Sequence, residues 1–252
     1  MKITVLGSGS AFSSSSRFNS CYFVKAAGNK FLIDCGSDAL RALQNVNVDL
    51  FSIQKVFITH MHADHCGGLP AVLTAMHVLG RKAPIEVYVP FNQVKFTKVW
   101  FANQFIYNER MTFEISLLPI HSGDMRLGNN IELEFIQTKH LEKYLEYARK
   151  FGVSPVSFSV SVREGDKSFF FSSDLGSLKE AKAHVRDSVA LVEATHPLLD
   201  EIAAFAAESR KNLFFTHIPQ ELENGGEWAE ELRTKFGIQE LNMVYDGQVL
   251  TV

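Results

Sequence analysis

Thr59-His60-Met61-His62-Ala63-Asp64-His65-Cys66-Gly67-Gly68 is the stretch whose chemistry organises the rest of the chain. It sets three histidines and one aspartate within six residues, directly after the apolar run Val56-Phe57-Ile58. Imidazole and carboxylate groups at that density, delivered where a strand ends, point to a metal site. The flanking pattern supplies the context such a loop needs. Residues 53–58 read as the strand that delivers His60, and residues 69–79 as a helix with Pro70 in its first turn and Gly80 at its stop.

Toward the amino terminus, residues 3–6 read as a short buried strand, followed by a loop over residues 7–20 rich in turn residues. Gly7 and Gly9 read as an ordinary turn, because no GxGxxG continues from them, and Arg17 and Asn19 are rim candidates. Residues 21–24 and 30–34 have the pattern of a hairpin whose second strand ends at Asp34. Ser37 is placed to cap a helix over residues 38–44.

Toward the carboxyl terminus, strand-like runs repeatedly end on a polar ligand type. Residues 85–89 are a strand, and residues 92–107 a helical stretch carrying Phe96, Trp100, Phe101, Phe105 and Tyr107. That stretch reads as a helix packed by its aromatic face, with a pocket lip or a homodimer contact as the sharper alternative. After a strand over residues 112–119, residues 131–136 lead through Gln137-Thr138-Lys139 to His140. Leu141, Tyr144, Leu145, Ala148 and Phe151 then recur at helical spacing up to Gly152. Residues 156–162 and 168–171 form a hairpin that runs into Ser173-Asp174, and residues 179–184 read as a helix. Residues 189–192 are a strand ending at Glu193-Ala194-Thr195-His196, and residues 213–215 deliver His217. Helices over residues 200–209 and 228–236 and a closing hairpin at Asp246-Gly247 complete a repeatedly alternating α/β chain. It is expected to form a single domain over residues 1–252, with no internal repeat or low-complexity linker.

Composition narrows the setting. At 252 residues and 46% hydrophobic content the chain can bury a large core, and a net charge of −3 excludes a uniformly basic surface. The three cysteines, Cys21, Cys35 and Cys66, form no CxxC pair and no disulfide framework, so the cytoplasm fits best. The amino terminus turns at Gly7 before a signal-length apolar segment forms, and no run approaches a membrane span, so no membrane association is expected.

The strand-end groups with metal-ligand chemistry are His60, His62, Asp64, His65, His140, Asp174 and His217. The set is too large for one tetrahedral zinc but suits two metals sharing a bridging carboxylate, typically about 3.5 to 4 Å apart. Such a pair activates water near neutral pH and stabilises a developing oxyanion, which is hydrolytic chemistry.

This arrangement resembles the metallo-β-lactamase superfamily over nearly the whole chain. His60-Met61-His62-Ala63-Asp64-His65 matches its HxHxDH signature, His140 its next histidine, Asp174 its bridging aspartate and His217 its last histidine. The resemblance implies an αββα four-layer sandwich of two mixed sheets, of α/β (α+β) class, with ligands in loops at one edge. It also implies that His60, His62 and His140 hold the first metal, that Asp64, His65 and His217 hold the second, and that Asp174 bridges. Asp64 would also orient the attacking water. Gly7-Ser8-Gly9-Ser10-Ala11, the stretch from Phe57 to His65 and Glu193-Ala194-Thr195 resemble the ribonuclease Z-like branch, which cleaves phosphodiesters, notably in transfer-RNA precursors.

Two departures from that branch bear on the substrate. Val192 stands where the His-Glu-Ala-Thr motif has its histidine, which leaves His196, shifted in register, as the catalytic proton-donor candidate. The interval from His140 to Asp174 holds only a helix and a hairpin, where short-type transfer-RNA processors commonly insert an RNA-binding arm. The expectation is a two-metal phosphodiesterase using a metal-bridged hydroxide, on a small cyclic phosphodiester or RNA, with Zn²⁺ the first choice and Mn²⁺ or Fe the others. An ester, lactone or thioester hydrolase and a non-catalytic metal-binding accessory protein are the alternatives on the same scaffold. Ala63 stands where flavodiiron relatives carry an acidic ligand, which argues against a redox diiron role.

Overall fold

The apolar runs Val56-Phe57-Ile58 and Phe169-Phe170-Phe171 are buried on both faces, as strands covered on each side by another layer must be. In the first, Val56 and Ile58 face one core and Phe57 a second; in the other, Phe169 and Phe171 face that second core and Phe170 a third. This period-two alternation between cores specifies a four-layer stack with two sheets at its centre. The computed structural model describes residues 1–12, 14–128, 130–208, 212–223 and 227–252.

The first half of the chain builds β1 (Lys2–Gly7), β2 (Cys21–Ala26), β3 (Asn29–Ile33), β4 (Lys55–Phe57), β5 (Ile85–Pro90) and β6 (Ile115–Ile120). The second builds β7 (Gly123–Leu127), β8 (Ile131–Thr138), β9 (Ser157–Glu164), β10 (Lys167–Phe171), β11 (Val189–Glu193) and β12 (Leu213–Thr216), before β13 (Val249–Thr251) returns beside β1. The strand orders are β13-β1-β2-β3-β4-β5-β6 and β12-β11-β10-β9-β8-β7. β3 to β6 are parallel, as are β10 to β12, and the remaining pairs are antiparallel.

The core between the sheets is aromatic, built on Phe31, Phe57, Phe135, Phe158, Phe169 and Phe171. Phe57 stacks on Tyr88 at 4.7 Å and meets Phe31 edge-on at 5.5 Å, so truncating it would cost roughly 3–5 kcal/mol. Outside the first sheet lie α1 (Ala39–Asn45), the single turn α2 (Ala63–Cys66), α3 (Leu69–Val78) and α4 (Val94–Asn103). The short α5 (Leu145–Lys150) follows β8. α6 (Leu199–Glu208), α7 (Gln220–Glu223) and α8 (Glu227–Phe236) cover the second sheet, where Ile202, Ala203, Leu222 and Leu232 pack on Phe170, Val192 and Phe215.

Several local expectations are corrected by tertiary contacts. Ser37 does not cap α1; its hydroxyl donates to the Ala63 carbonyl at 3.2 Å and ties α1 to the ligand turn. The expected closing hairpin does not form, because β13 pairs with β1 and Gly247 N–H bonds to Val5 O at 2.7 Å. Residues 178–180 make only one 3₁₀ turn where a longer helix was expected. Residues 123–127, for which the sequence pattern named no element, pair with β8 as a strand. In α4 Phe101 is buried and Trp100 packs partly buried against the same core, while Phe96 on the helix and Phe105 and Tyr107 beyond it are exposed, so only part of the expected aromatic face packs. Ser209, the expected end of α6, and Ser13 in the first loop lie outside the described residues. No helix among them is long and apolar enough to cross a membrane.

Candidate metal centre

Parallel strands end on the same edge, and here the two sheets present their ending strands to one another. Asp34 follows β3 and His60 lies just beyond β4; His140, Asp174 and His217 lie just beyond β8, β10 and β12. Asp34, Ser173 and His217 have positive φ of 60°, 50° and 52°. Such left-handed residues interrupt strand pairing at a cost of roughly 1–2 kcal/mol each, and their clustering is typical of functional sites.

The hexapeptide itself is half strand exit and half helix start. His62 occupies the position before α2 and its carbonyl accepts from the N–H groups of His65 and Cys66, both at 3.0 Å. One helical turn therefore puts Asp64 and His65 beyond His62 without a long loop. Gly68 is required by backbone proximity: a Cβ there would come within 2.1 Å of the Gly36 carbonyl oxygen. Gly68 N–H instead donates to Cys35 O at 3.0 Å, docking the turn on the segment that carries Asp34.

All the expected ligands converge. Donor atoms of His60, His62, His140 and Asp174 lie within 4.8 Å of one another, as do those of Asp64, His65 and His217. Asp174 joins the groups: Oδ2 is 3.6 Å from His60 Nε2 and 3.4 Å from His140 Nε2, while Oδ1 is 3.2 Å from His65 Nε2 and 3.5 Å from His217 Nδ1. Each oxygen of one buried carboxylate thus faces a different histidine cluster. Asp64 Oδ2 accepts from His217 Nε2 at 3.1 Å.

Hydrogen bonding leaves several of these donors unsatisfied. His60 Nε2, His65 Nε2, His140 Nδ1, His217 Nδ1 and Asp174 Oδ1 are buried without a hydrogen-bond partner among the described residues. An orphaned buried polar group costs about 1–3 kcal/mol, so several in one place require a ligand. Imidazole and carboxylate donors are those that divalent metal ions take, and the residues fit them.

Electrostatics agree. Burial, with the neighbouring His65, holds His60 well below its ordinary value, and burial brings His140 down to about 4, so both are neutral and ligand-competent near pH 7. Burial alone would raise Asp174, but the charges on His217 and His65 outweigh it and hold the carboxyl well below the usual range. Burial opposes the charged form of His217, yet Asp174 and the bond to Asp64 raise it to about 10. The carboxylates thus hold protons where cations would otherwise sit.

Around these groups lies a shell that sequence reasoning left without a role. Asp34 Oδ2 accepts from His65 Nδ1 at 2.6 Å, and Asp34 Oδ1 accepts from the backbone N–H and hydroxyl of Thr59, both at 2.9 Å. Its only signal in the sequence was its place at a strand end. Thr59 Oγ1 also meets Ser173 Oγ at 2.8 Å, bridging the two sheets beside the ligands. Glu193, fully buried, accepts from Leu175 N–H at 2.6 Å and from the N–H and Nδ1 of His196 at 3.0 and 2.7 Å. His196 lies at the rim, its ring 4.5 Å from that of His140. Val192 points into the outer core, so a histidine there would not reach the site. Arg17 is drawn away from the ligands, to Ser8 Oγ at 2.6 Å and Val244 O, and Asn19 Nδ2 donates to Ser10 O at 2.8 Å; both hold the first loop.

The family model described as anti-Pycsar protein Apyc1 matches residues 1–234. The chain belongs to this family. The chain is 28% identical over 148 residues to the ribonuclease Z of Methanosarcina acetivorans, a match covering 59% of this chain and 48% of that protein. It therefore spans about half the length of the curated relative it matches. Among solved structures, the short form of human tRNase Z superposes with a TM-score of 0.71 at 21% identity, covering 100% of this chain and 99% of that one. The metallo-β-lactamase fold protein YhfI from Bacillus subtilis gives 0.73 at 17% identity, covering 99% and 98%. The fold is the metallo-β-lactamase sandwich, and part of the chain is similar in sequence to ribonuclease Z.

Proposed function

We propose that this chain is a two-metal phosphodiesterase acting on a small phosphodiester. The observation that supports it most is Asp174, whose two oxygens face two separate histidine clusters. His60, His62 and His140 would hold one ion and Asp64, His65 and His217 the other, with Asp174 shared. Zinc is the metal we assign, from imidazole and carboxylate donors. When bound, such a pair lowers the pKa of the attacking water and supplies Lewis-acid stabilisation of charge developing on the phosphoryl oxygens.

The chain's own side chains supply orientation and proton transfer. Asp64, bonded to His217, is placed to orient the water with its carboxylate. Glu193 holds Nδ1 of His196, leaving Nε2 to exchange a proton with the leaving oxygen. A small substrate is favoured because, between His140 and Asp174, only a 3₁₀ turn, α5 and the β9–β10 hairpin are present, with no protruding arm. The exposed side chains Phe96, Val99 and Phe105, on and beyond α4, support a homodimer contact there.

Metal-loaded protein assayed on bis-p-nitrophenyl phosphate, cyclic nucleotides, a precursor transfer RNA, lactones and glutathione thioesters tests the reading. Metal-dependent turnover of small phosphodiesters is expected. Equal activity after chelation, or turnover of carbonyl substrates alone, would refute it.

A further inference from the structure

The segment directly after His140 is unusual. The 3₁₀ turn Glu142–Tyr144 and α5 contain no buried residue, so packing does not explain their sequence. The spacing of Leu141, Tyr144, Leu145, Ala148 and Phe151 predicts an apolar face turned inward, yet Tyr144 is 41% and Phe151 79% exposed. Tyr144 is not remote from the chemistry: its ring meets that of His62 edge-on, with centroids 5.8 Å apart. His62 Nδ1 is in turn 3.3 Å from His140 Nε2. An aromatic ring that is half in solvent therefore stands against a donor of the metal centre.

The charges nearby suit an anion. Lys143 Nζ lies over one face of the Tyr144 ring, 5.2 Å from its centroid, which leaves the opposite face for a base. Lys139, Lys143 and Arg149 make no ion pair among the described residues and outnumber Glu142, the one carboxylate of residues 139–151 outside an ion pair, since Glu146 is engaged by Lys150 at 3.5 Å. A cation without a carboxylate partner beside an aromatic ring is a combination that binds a nucleotide: the ring stacks the base and the cation meets the phosphate. Only Tyr144 of this segment makes a ring contact with the donor cluster, which suits one base next to one phosphate and not a run of stacked bases.

We propose that Tyr144 is the stacking platform for the base of a mononucleotide whose phosphate lies at the His and Asp centre, with Lys143 as the flanking counter-charge. The inference rests on the phosphodiesterase reading for where the phosphate sits. It assigns Tyr144 to substrate selection and not to the reaction itself.

The test compares wild type, Tyr144→Ala and Tyr144→Phe, all metal-loaded, by calorimetric binding of a nucleoside 5′-monophosphate and of inorganic phosphate. Losing a base-stacking ring costs about tenfold or more in affinity. Tyr144→Ala is expected to lose that factor for the nucleotide and nothing for phosphate, at unchanged metal content, and Tyr144→Phe to bind both like wild type. In turnover, Tyr144→Ala should raise KM for a 3′,5′-cyclic nucleotide with kcat retained, and leave glycerophosphoethanolamine unaffected. Equal loss for nucleotide and phosphate would mean that the ring only seats His62, and no loss would mean that the base lies elsewhere; either overturns the proposal. A wild-type protein that binds nucleotide through Tyr144 but cleaves no phosphodiester would refute the hydrolase reading and leave the platform standing.

Discussion

Asp34 and His65, far apart in the chain, meet at 2.6 Å between Oδ2 and Nδ1, and the same carboxylate accepts both donors of Thr59. The bond fixes the His65 tautomer and turns Nε2 toward Asp174. Asp34→Asn would set an amide donor against donors already in place. Metal affinity is expected to fall about ten- to hundredfold, as is usual when such an outer partner is lost. A chelator-competition titration measures it, and an unchanged constant would show that Asp34 has no part in holding the site.

Removing Asp174 separates the two clusters. Asp174→Ala is expected to lose phosphodiester turnover to background while circular dichroism stays that of wild type. Metal analysis should show less bound metal per chain, and full occupancy with full activity would contradict the shared-ligand reading.

His196 and Glu193 are expected to act as a pair in proton transfer. A general acid contributes about 10²–10⁴-fold in rate, mostly when the leaving group is a poor one. His196→Ala should therefore slow cleavage of alkyl-leaving-group phosphodiesters by about that factor and that of p-nitrophenyl esters far less. Equal loss on both substrates would assign His196 a structural role.

Protonation of His217 gives a signed pH dependence. Its value is raised from the ordinary 6.5 to about 10, so the metal-free protein holds this proton at pH values between the two. The stabilisation it contributes is fully present below the ordinary value and is lost as pH rises through about 10. Ligation needs the neutral ring, so metal loading at about pH 8 should release protons. Calorimetry in buffers of differing ionisation enthalpy reads the number released, and zero release would remove His217 from the ligand set.

Gly68 is a steric requirement of the docking between ligand turn and Asp34 segment. Gly68→Ala brings a Cβ within 2.1 Å of the Gly36 carbonyl oxygen, backbone against backbone. Destabilisation of at least roughly 1–3 kcal/mol is expected in urea unfolding. A variant with the wild-type midpoint would show that the two segments separate freely.

Local physics made much of this legible in the sequence. A strand-period apolar run, one helical turn and a glycine pair place His60, His62, Asp64 and His65 within a few residues of one another, so their proximity needs no tertiary information. The strand ends carrying His140, Asp174 and His217 were readable for the same reason, since apolar runs and the polar residues that end them are short-range patterns. Tertiary structure alone decided which oxygen of Asp174 faces which cluster, that Asp34 orients His65, and that β13 closes on β1. It also decided that the segment after His140 exposes its aromatic residues although its spacing predicts burial. Spacing records which side chains share a face, but not whether another layer covers that face. For HxHxDH the sequence supplied a donor set, and the face-to-face packing of two sheets, which brings their strand ends together at one edge of the sandwich, turned it into a centre.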